Sequence, residues 1–595
     1  MIQVLPLIVL LLSGLTAIFF NFAKVAKYST FLAMVLFLAN FFLHSSPVSI
    51  EIFHIEKLKF NLSMSFNRVE ILICVVVCSI LFCLHMAKKE EKNINKILGI
   101  LNVFAFFMCS SIVSTNLFQF FIGIEALGII SAILVAFGEN SLESSSKIFA
   151  FNKFASLIFL IAISLIAINF HSFQFSDIKA VCNSGNIKNL AIPALLLLIS
   201  CFCKGAQLPF SPWLLDATKA DIFTSIFLHS ATLVSIGVIF IAKCYFIFEA
   251  FPYLKQAMIY VGLTTALWMA CCSLFHGNIK KIMACLTAST TGTMFIACGL
   301  GEYSLALLCF ICHAFFKSML FLSFSYVIRA MSNEQNMYKM GGLSKLIPNI
   351  TDIVWISFLS AVGFPFFVGF FAKISFLGSL QLSNRVSLVI LSIIINIISI
   401  ITILRMIMIS IYGKSRADDI TLSRVSSYNS LSISSVWILI IFAVFGSFIF
   451  WSIYEWGALH FGYGGIVYSR EFFDYFIENM VEMAQIGLGT MIVLILKNKK
   501  IATTKRGAFF IDIFKNNKIY KSAMYFIIKT ANAFLKLFAN INEKFFNFIN
   551  YKFFKSLYGI GITIGYRHRR FIFSHALWIS LGLIISILSI FLRKQ

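Results

Sequence analysis

The sequence predicts an all-α polytopic membrane protein of about sixteen transmembrane helices, two of them discontinuous and related as an inverted repeat, followed by a long C-terminal amphipathic lateral helix. Three observations predict it. Of 595 residues, 60% are hydrophobic and only 12% charged, with a mean hydropathy of +0.92, and a soluble chain of that composition could not clothe its surface in polar groups. Apolar runs of about 18 residues or more, enough to cross a hydrocarbon core of about 30 Å, recur along almost the whole chain. Two of these runs are broken beside a lysine, by Pro209 and Pro212 after Lys204 and by Gly363 and Pro365 before Lys373.

In chain order the runs fall near 3–22, 29–44, 70–87, 97–113, 116–137, 154–170, 190–209, 222–245, 255–275, 281–300, 303–328, 352–372, 386–412, 433–453, 478–496 and 572–592. The first has no basic stretch before it and no small-residue cleavage site, so it reads as a mature span rather than a signal peptide. A polar external loop occupies about 45–69. Lys24, Lys27, Lys88, Lys89, Lys92, Lys96, Lys147, Lys153, Lys280 and Lys281 fall in alternate loops, which puts those loops inside and both termini outside. The intervening loops carry Glu51, Glu56, Asp177, Glu302, Glu455, Glu471 and Asp474.

The expected organisation is N-terminal spans and external loop (1–96), a core holding most of the intramembrane charge (97–414), peripheral spans (415–496), a basic amphipathic segment (497–571) and an anchoring span (572–595). In the fourth segment Lys515, Ser522, Lys529, Lys536, Glu543 and Asn550 recur every seven residues among Phe, Ile and Leu. Such a stripe suits a helix lying along the membrane surface or against other spans. The net charge of +24 is scattered through short loops and this tail, as the positive-inside rule produces, so nucleic-acid binding is not expected. Most of the 14 cysteines lie within apolar runs without metal-ligand spacing, which leaves zinc, Fe–S and disulfide readings unsupported.

Six ionisable residues occupy the core spans: Glu125, Lys204, His229, His313, Lys317 and Lys373. A charge at the bilayer centre costs roughly 3 kcal/mol on insertion scales, so so many in consecutive spans point to function. Buried lysine gives up its proton readily, a nearby carboxylate restores it, and histidine relays between such holders. The pattern therefore points to proton transfer across the bilayer midplane.

The ordered strings CKGAQLPFSPWLLDA, LHSATLV, NIKKIMACLTAST, CHAFFKSMLFLSFSYVI, YKMGGLSKLIP, GFPFFVGFFAKISFL and LRMIMISIYGK, between His85 and Lys414, resemble the antiporter-like subunits of respiratory complex I, the proton-pumping NADH:quinone oxidoreductase. The same module occurs in Mrp-type sodium/proton antiporters. The final hundred residues look like the L or chain 5 type, with its lateral helix and terminal anchor. The resemblance implies that Glu125 is the acidic partner of the pump lysine Lys204, that His229, His313 and Lys317 relay, and that Lys373 delivers the proton outward. It also implies neighbouring antiporter-like and other membrane-arm subunits as partners, a cell inner membrane location, and NADH, FMN, Fe–S clusters and quinone in partner subunits with no cofactor in this chain. Departures from the family pattern stand at Asn67, Ser156, Asn278 and Ile374, where acids are usual, and at Cys309, where a relay histidine is usual; the start of the eighth span also lacks proline. Two alternatives follow: a subunit of a sodium/proton antiporter, or a non-pumping structural subunit.

Overall fold

A computed structural model describes residues 2–20, 22–42, 47–55, 58–87, 94–138, 141–185, 187–416, 439–441, 444 and 472–496. The amphipathic segment 497–571, the last span and nearly all of 433–453 lie outside the described residues. The helices are α1 Leu5–Phe20, α2 Ala23–Phe42, α3 Arg68–Ala87, α4 Ile94–Ile112, α5 Leu117–Ala136, α6 Leu142–Phe170, α7 Phe175–Asn183, α8 Ala191–Lys204, α9 Pro212–Ala217 and α10 Ile222–Ser230. They continue with α11 Ile236–Lys243, α12 Tyr245–Glu249, α13 Pro252–Phe275, α14 Ile279–Leu300, α15 Tyr303–Ala330, α16 Pro348–Val362, α17 Val368–Leu382, α18 Val386–Ser410 and α19 Phe472–Leu496. Among the described residues nine helices are long and apolar enough to cross a membrane. Within those spans 94% of α15 and 89% of α14 is buried, against 28% of α18, so α14 and α15 form the centre of the bundle and α18 its periphery.

The polar loop expected outside carries regular secondary structure. Its sequence SIEIFHI…LKFNLSM alternates apolar and polar residues, the period of a strand, and folds as an antiparallel hairpin of β1 Val48–Ile55 and β2 Leu58–Met64 with an irregularity between Glu51 and Phe53. A lone hairpin is marginal in water, and this one is docked. Thr115 N donates to Ser63 O at 2.9 Å, and Asn116 Nδ2 donates to Asn61 O at 2.9 Å and Ser63 Oγ at 2.6 Å. Asn116 also caps α5, its Oδ1 accepting from Gln119 N at 2.7 Å. One side chain thus fixes both the hairpin and the start of the helix that carries Glu125.

The two expected helix breaks are present, between α8 and α9 and between α16 and α17. The second broken span runs to Leu382, ten residues past the apolar run ending near 372, because α17 resumes after Phe367. A third break divides 222–245 at Ala231–Ser235, where no proline or glycine stands. Hydroxyls there take up freed carbonyls: Ser230 Oγ donates to Ile226 O at 2.6 Å, Thr232 Oγ1 to Phe227 O at 2.9 Å and Ser235 Oγ to Thr232 O at 3.0 Å.

These ends have a common use. The last carbonyls of a helix lack intrahelical donors and lie at its negative pole, so a cation nearby is stabilised. Lys243 Nζ donates to Ile112 O at the end of α4 at 2.6 Å, Lys280 Nζ to Ala220 O beyond α9 at 2.9 Å, and Lys373 Nζ to Val362 O at the end of α16 at 2.8 Å. Arg405 reaches Leu274 O at the end of α13. Lys280 had been expected in an inside loop; it is buried within the first turn of α14.

Candidate functional site

Helices α5 and α6 form an antiparallel hairpin joined by a five-residue turn, and Glu125 and Lys153 each lie eleven residues from its helix's end at that turn. At 1.5 Å per residue both sit roughly 16 Å from the turn, about mid-membrane, and face one another. They form an ion pair, with side chains 17% and 23% exposed. This corrects two sequence-based expectations. Glu125 pairs with Lys153 rather than Lys204, and Lys153 belongs to a span rather than to an inside loop, because α6 begins at Leu142, well before the apolar run.

Lys204, the last residue of α8, is buried, and two neutral oxygens hold its ammonium: Nζ donates to Ile124 O at 3.2 Å and to Asn152 Oδ1 at 3.2 Å. Ile124 and Asn152 are the chain neighbours of Glu125 and Lys153, so the lysine sits one residue away from the ion pair on both helices. Gly128 makes this approach possible, since a Cβ there would lie 3.1 Å from Lys204 Nζ and 3.0 Å from Asn152 Cβ. Asn152 is not singled out by the sequence, since it stands beside Lys153 and ahead of the apolar run that begins near 154.

Further polar side chains flank the break that follows Lys204. Gln207, fully buried, donates from Nε2 to Gly205 O at 2.8 Å and to Thr291 Oγ1 at 3.2 Å. The preceding residue on α14, Thr290, contacts His313 Nδ1 through its hydroxyl at 3.0 Å. His313 Nε2 lies 3.4 Å from the carbonyl of His229, one of the carbonyls freed where α10 ends. The imidazole of His229 takes no such place. It stacks on Phe321 at 5.7 Å between centroids, buried, with neither ring nitrogen hydrogen-bonded among the described residues.

Lys317, one turn beyond His313 on α15, is buried and donates to Met283 O at 3.3 Å. His313 and Lys317 face a cavity of about 130 Å³ whose far wall carries Lys373, Asn396, Glu482 and Gln485. That volume has room for water, and although most of the lining is apolar, His313, Lys317, Lys373, Asn396, Glu482 and Gln485 bring polar side chains to it. The structure therefore brings His313, Lys317 and Lys373 to one cavity, while Lys204 lies outside its lining, with Gln207 and the Thr290–Thr291 step of α14 between them in the chain of contacts around the break.

Lys373 has an acidic partner that the sequence reading missed. Its Nζ donates to Asn396 Oδ1 at 2.6 Å and lies 3.6 Å from Glu482 Oε1, while Asn396 Nδ2 donates to Glu482 Oε1 at 2.9 Å and Gln485 Oε1 at 2.6 Å. Lysine only donates, so the amide's orientation is fixed by its neighbours and both of its hydrogens are used. Gly363, at φ +79°, leaves room here, since a Cβ would come within 2.8 Å of Lys373 Cδ and 3.4 Å of Glu482 Oε1.

Comparison with known proteins gives a consistent picture. Residues 114–402 match the family described as NADH:quinone oxidoreductase/Mrp antiporter, TM. The chain is 33% identical over 339 residues to NADH-quinone oxidoreductase subunit L of Rickettsia conorii, covering 55% of this chain and 51% of that one. It is 32% identical over 317 residues to NADH-ubiquinone oxidoreductase chain 5 of Metridium senile, covering 52% and 53%. The chain thus spans about half the length of these curated relatives. Among solved structures, the Mrp complex from Dietzia sp. DQ12-45-1b superposes with a TM-score of 0.71 at 17% identity, covering 91% of this chain and 62% of that one. Respiratory complex I from Thermus thermophilus gives 0.65 at 15% identity, covering 78% and 100%. At such identities the structural likeness speaks to fold.

Proposed function

Because residues 114–402 match the NADH:quinone oxidoreductase/Mrp antiporter transmembrane family, we propose that this chain is a member of it and a proton-translocating subunit in the membrane arm of an NADH:quinone oxidoreductase. The observation that carries the reading is the line of buried titratable groups from the Glu125–Lys153 pair through Lys204 and His313 to the cavity shared by Lys317 and Lys373. A structural ion pair needs no such continuation through the most buried helices of the bundle. The Asn67, Ser156, Asn278, Ile374 and Cys309 departures leave this line intact.

The mechanism is electrostatic. With Lys153 on Glu125, the carboxylate is neutralised and Lys204 is held only by neutral oxygens, a poor home for an ammonium, so its proton moves on. When rearrangement in a partner subunit draws Lys153 away, Glu125 turns its charge toward Lys204 and favours reloading. His313 passes the proton into the cavity, where Lys317 and Lys373 hold it in turn. His229 contributes its carbonyl to the orientation of His313. Redox chemistry belongs to partner subunits, and this chain holds no redox centre in the reading.

A second reading, a subunit of an Mrp-type sodium/proton antiporter, draws support from the matched family, whose description names Mrp antiporters beside NADH:quinone oxidoreductase. Purification of the tagged chain from its own membranes separates them. The first reading expects flavin- and Fe–S-containing subunits to co-purify, and NADH-driven proton uptake into inverted vesicles to disappear on deletion. Loss of sodium extrusion with NADH-driven proton uptake unchanged would transfer the chain to the antiporter.

A further inference from the structure

We propose that Glu482, on α19, is the proton acceptor of Lys373 and so the last intramembrane carrier of this chain. The inference rests on the proton-translocation reading and adds to it a residue about a hundred positions away in sequence from the lysine it serves. Glu482 is 3% exposed overall, and a carboxylate so buried in a membrane-spanning bundle has a substantial desolvation cost. Its surroundings are organised around exchange with Lys373. The ammonium is anchored from one side by Val362 O at 2.8 Å and from the other by Asn396 Oδ1 at 2.6 Å, and the carboxylate waits at 3.6 Å, inside ion-pair range but beyond a hydrogen bond.

Asn396 serves as the spacer. Its amide holds Lys373 with the oxygen and Glu482 with the nitrogen, which keeps the pair adjacent without collapse into a closed contact. When Nζ leaves Asn396 Oδ1 for the carboxylate, one proton passes from the ammonium to Glu482, leaving a neutral amine and a neutral carboxylic acid. The acid then releases that proton to water, and the amine regains one from the cavity side. No electrons move. The neutral pair is the state a low-dielectric site favours, which is what makes a carboxylate, rather than an amide, informative at this position.

Gln485 supplies the test, because it lies one turn along α19, lines the same cavity and accepts from the same Asn396 nitrogen at 2.6 Å. In purified complex reconstituted into proteoliposomes, Glu482→Gln keeps an oxygen for Asn396 but cannot take a proton, and NADH-driven proton translocation falls at least tenfold. Exchanging the two, Glu482→Gln with Gln485→Glu, returns a carboxylate to the cavity and restores at least a third of the rate. Unchanged translocation in Glu482→Gln, with Lys204→Ala inactive, overturns the role of Glu482 alone; unchanged translocation in both overturns the underlying reading. Loss without restoration in an assembled exchange variant makes Glu482 a packing residue and likewise overturns the inference. If Glu482→Gln does not assemble, the exchange variant decides, with activity supporting and inactivity opposing.

Discussion

Lys153→Met is expected to assemble poorly or pump at under a tenth of the normal rate, whereas Glu125→Gln combined with Lys153→Met is expected to recover assembly without recovering pumping. The reason is the position of the pair at mid-membrane on α5 and α6. Removing one member of a pair set at this depth in a membrane span leaves an uncompensated charge and costs about 3 kcal/mol, while removing both removes that penalty. The two readouts therefore separate: stability follows charge balance, and pumping follows the presence of a carboxylate that Lys153 can visit and leave. A double-mutant cycle on thermal stability of the complex should give strong coupling, and additive single effects would show that the two side chains do not pair in the membrane.

His313→Leu is expected to reduce proton translocation by about a hundredfold or more, the usual scale for removing a proton-transfer group. The imidazole contacts Thr290 Oγ1 on α14 at 3.0 Å and forms part of the cavity wall, which places it between the break after Lys204 and the cavity lysines in the proposed route. Leucine keeps the volume, so α15 should remain packed against its neighbours. His229→Leu should cost much less, because His229 acts through its backbone carbonyl and stacks its ring on Phe321. A loss with His229→Leu equal to that with His313→Leu, measured as dye-reported acidification of inverted vesicles, would place both rings in the path.

What could be read from the sequence was set by how local each signal is. Apolar runs give the helices, and Pro209, Pro212, Gly363 and Pro365 give two of the breaks, because hydrophobic length and proline act within one segment. Ala231–Ser235 gives no such sign, since its break depends on serine and threonine hydroxyls reaching carbonyls of the preceding turn. Lys204, His313, Lys317 and Lys373 are legible as costly residues in apolar surroundings. Their partners are not, because a partner is a matter of packing between segments.

Lys153 shows the boundary between the two. Counted by hydropathy it belongs to a loop, yet the five-residue turn after Ala136 makes α5 and α6 an antiparallel hairpin, in which residues equally far from the turn lie at equal depth and meet when they share the facing sides. Hairpin register could have found that pair. Nothing comparable could have found Glu482, since α18 and α19 meet through contacts that neither sequence announces. The acid absent at Ile374 is a local observation, and the carboxylate that faces Lys373 from Glu482 is a tertiary one.

The central claim is that protons cross this chain through its buried polar line, and Lys204 is the point where that line meets the Glu125–Lys153 pair. The direct test is the number of protons translocated per NADH oxidised by the intact complex in proteoliposomes, with normal chain and with Lys204→Ala. The proposed route predicts an assembled variant complex that still oxidises NADH when uncoupler is present but translocates fewer protons per NADH, or stalls when coupled. An unchanged ratio at an unchanged rate would contradict it and leave the chain as a structural member of its complex.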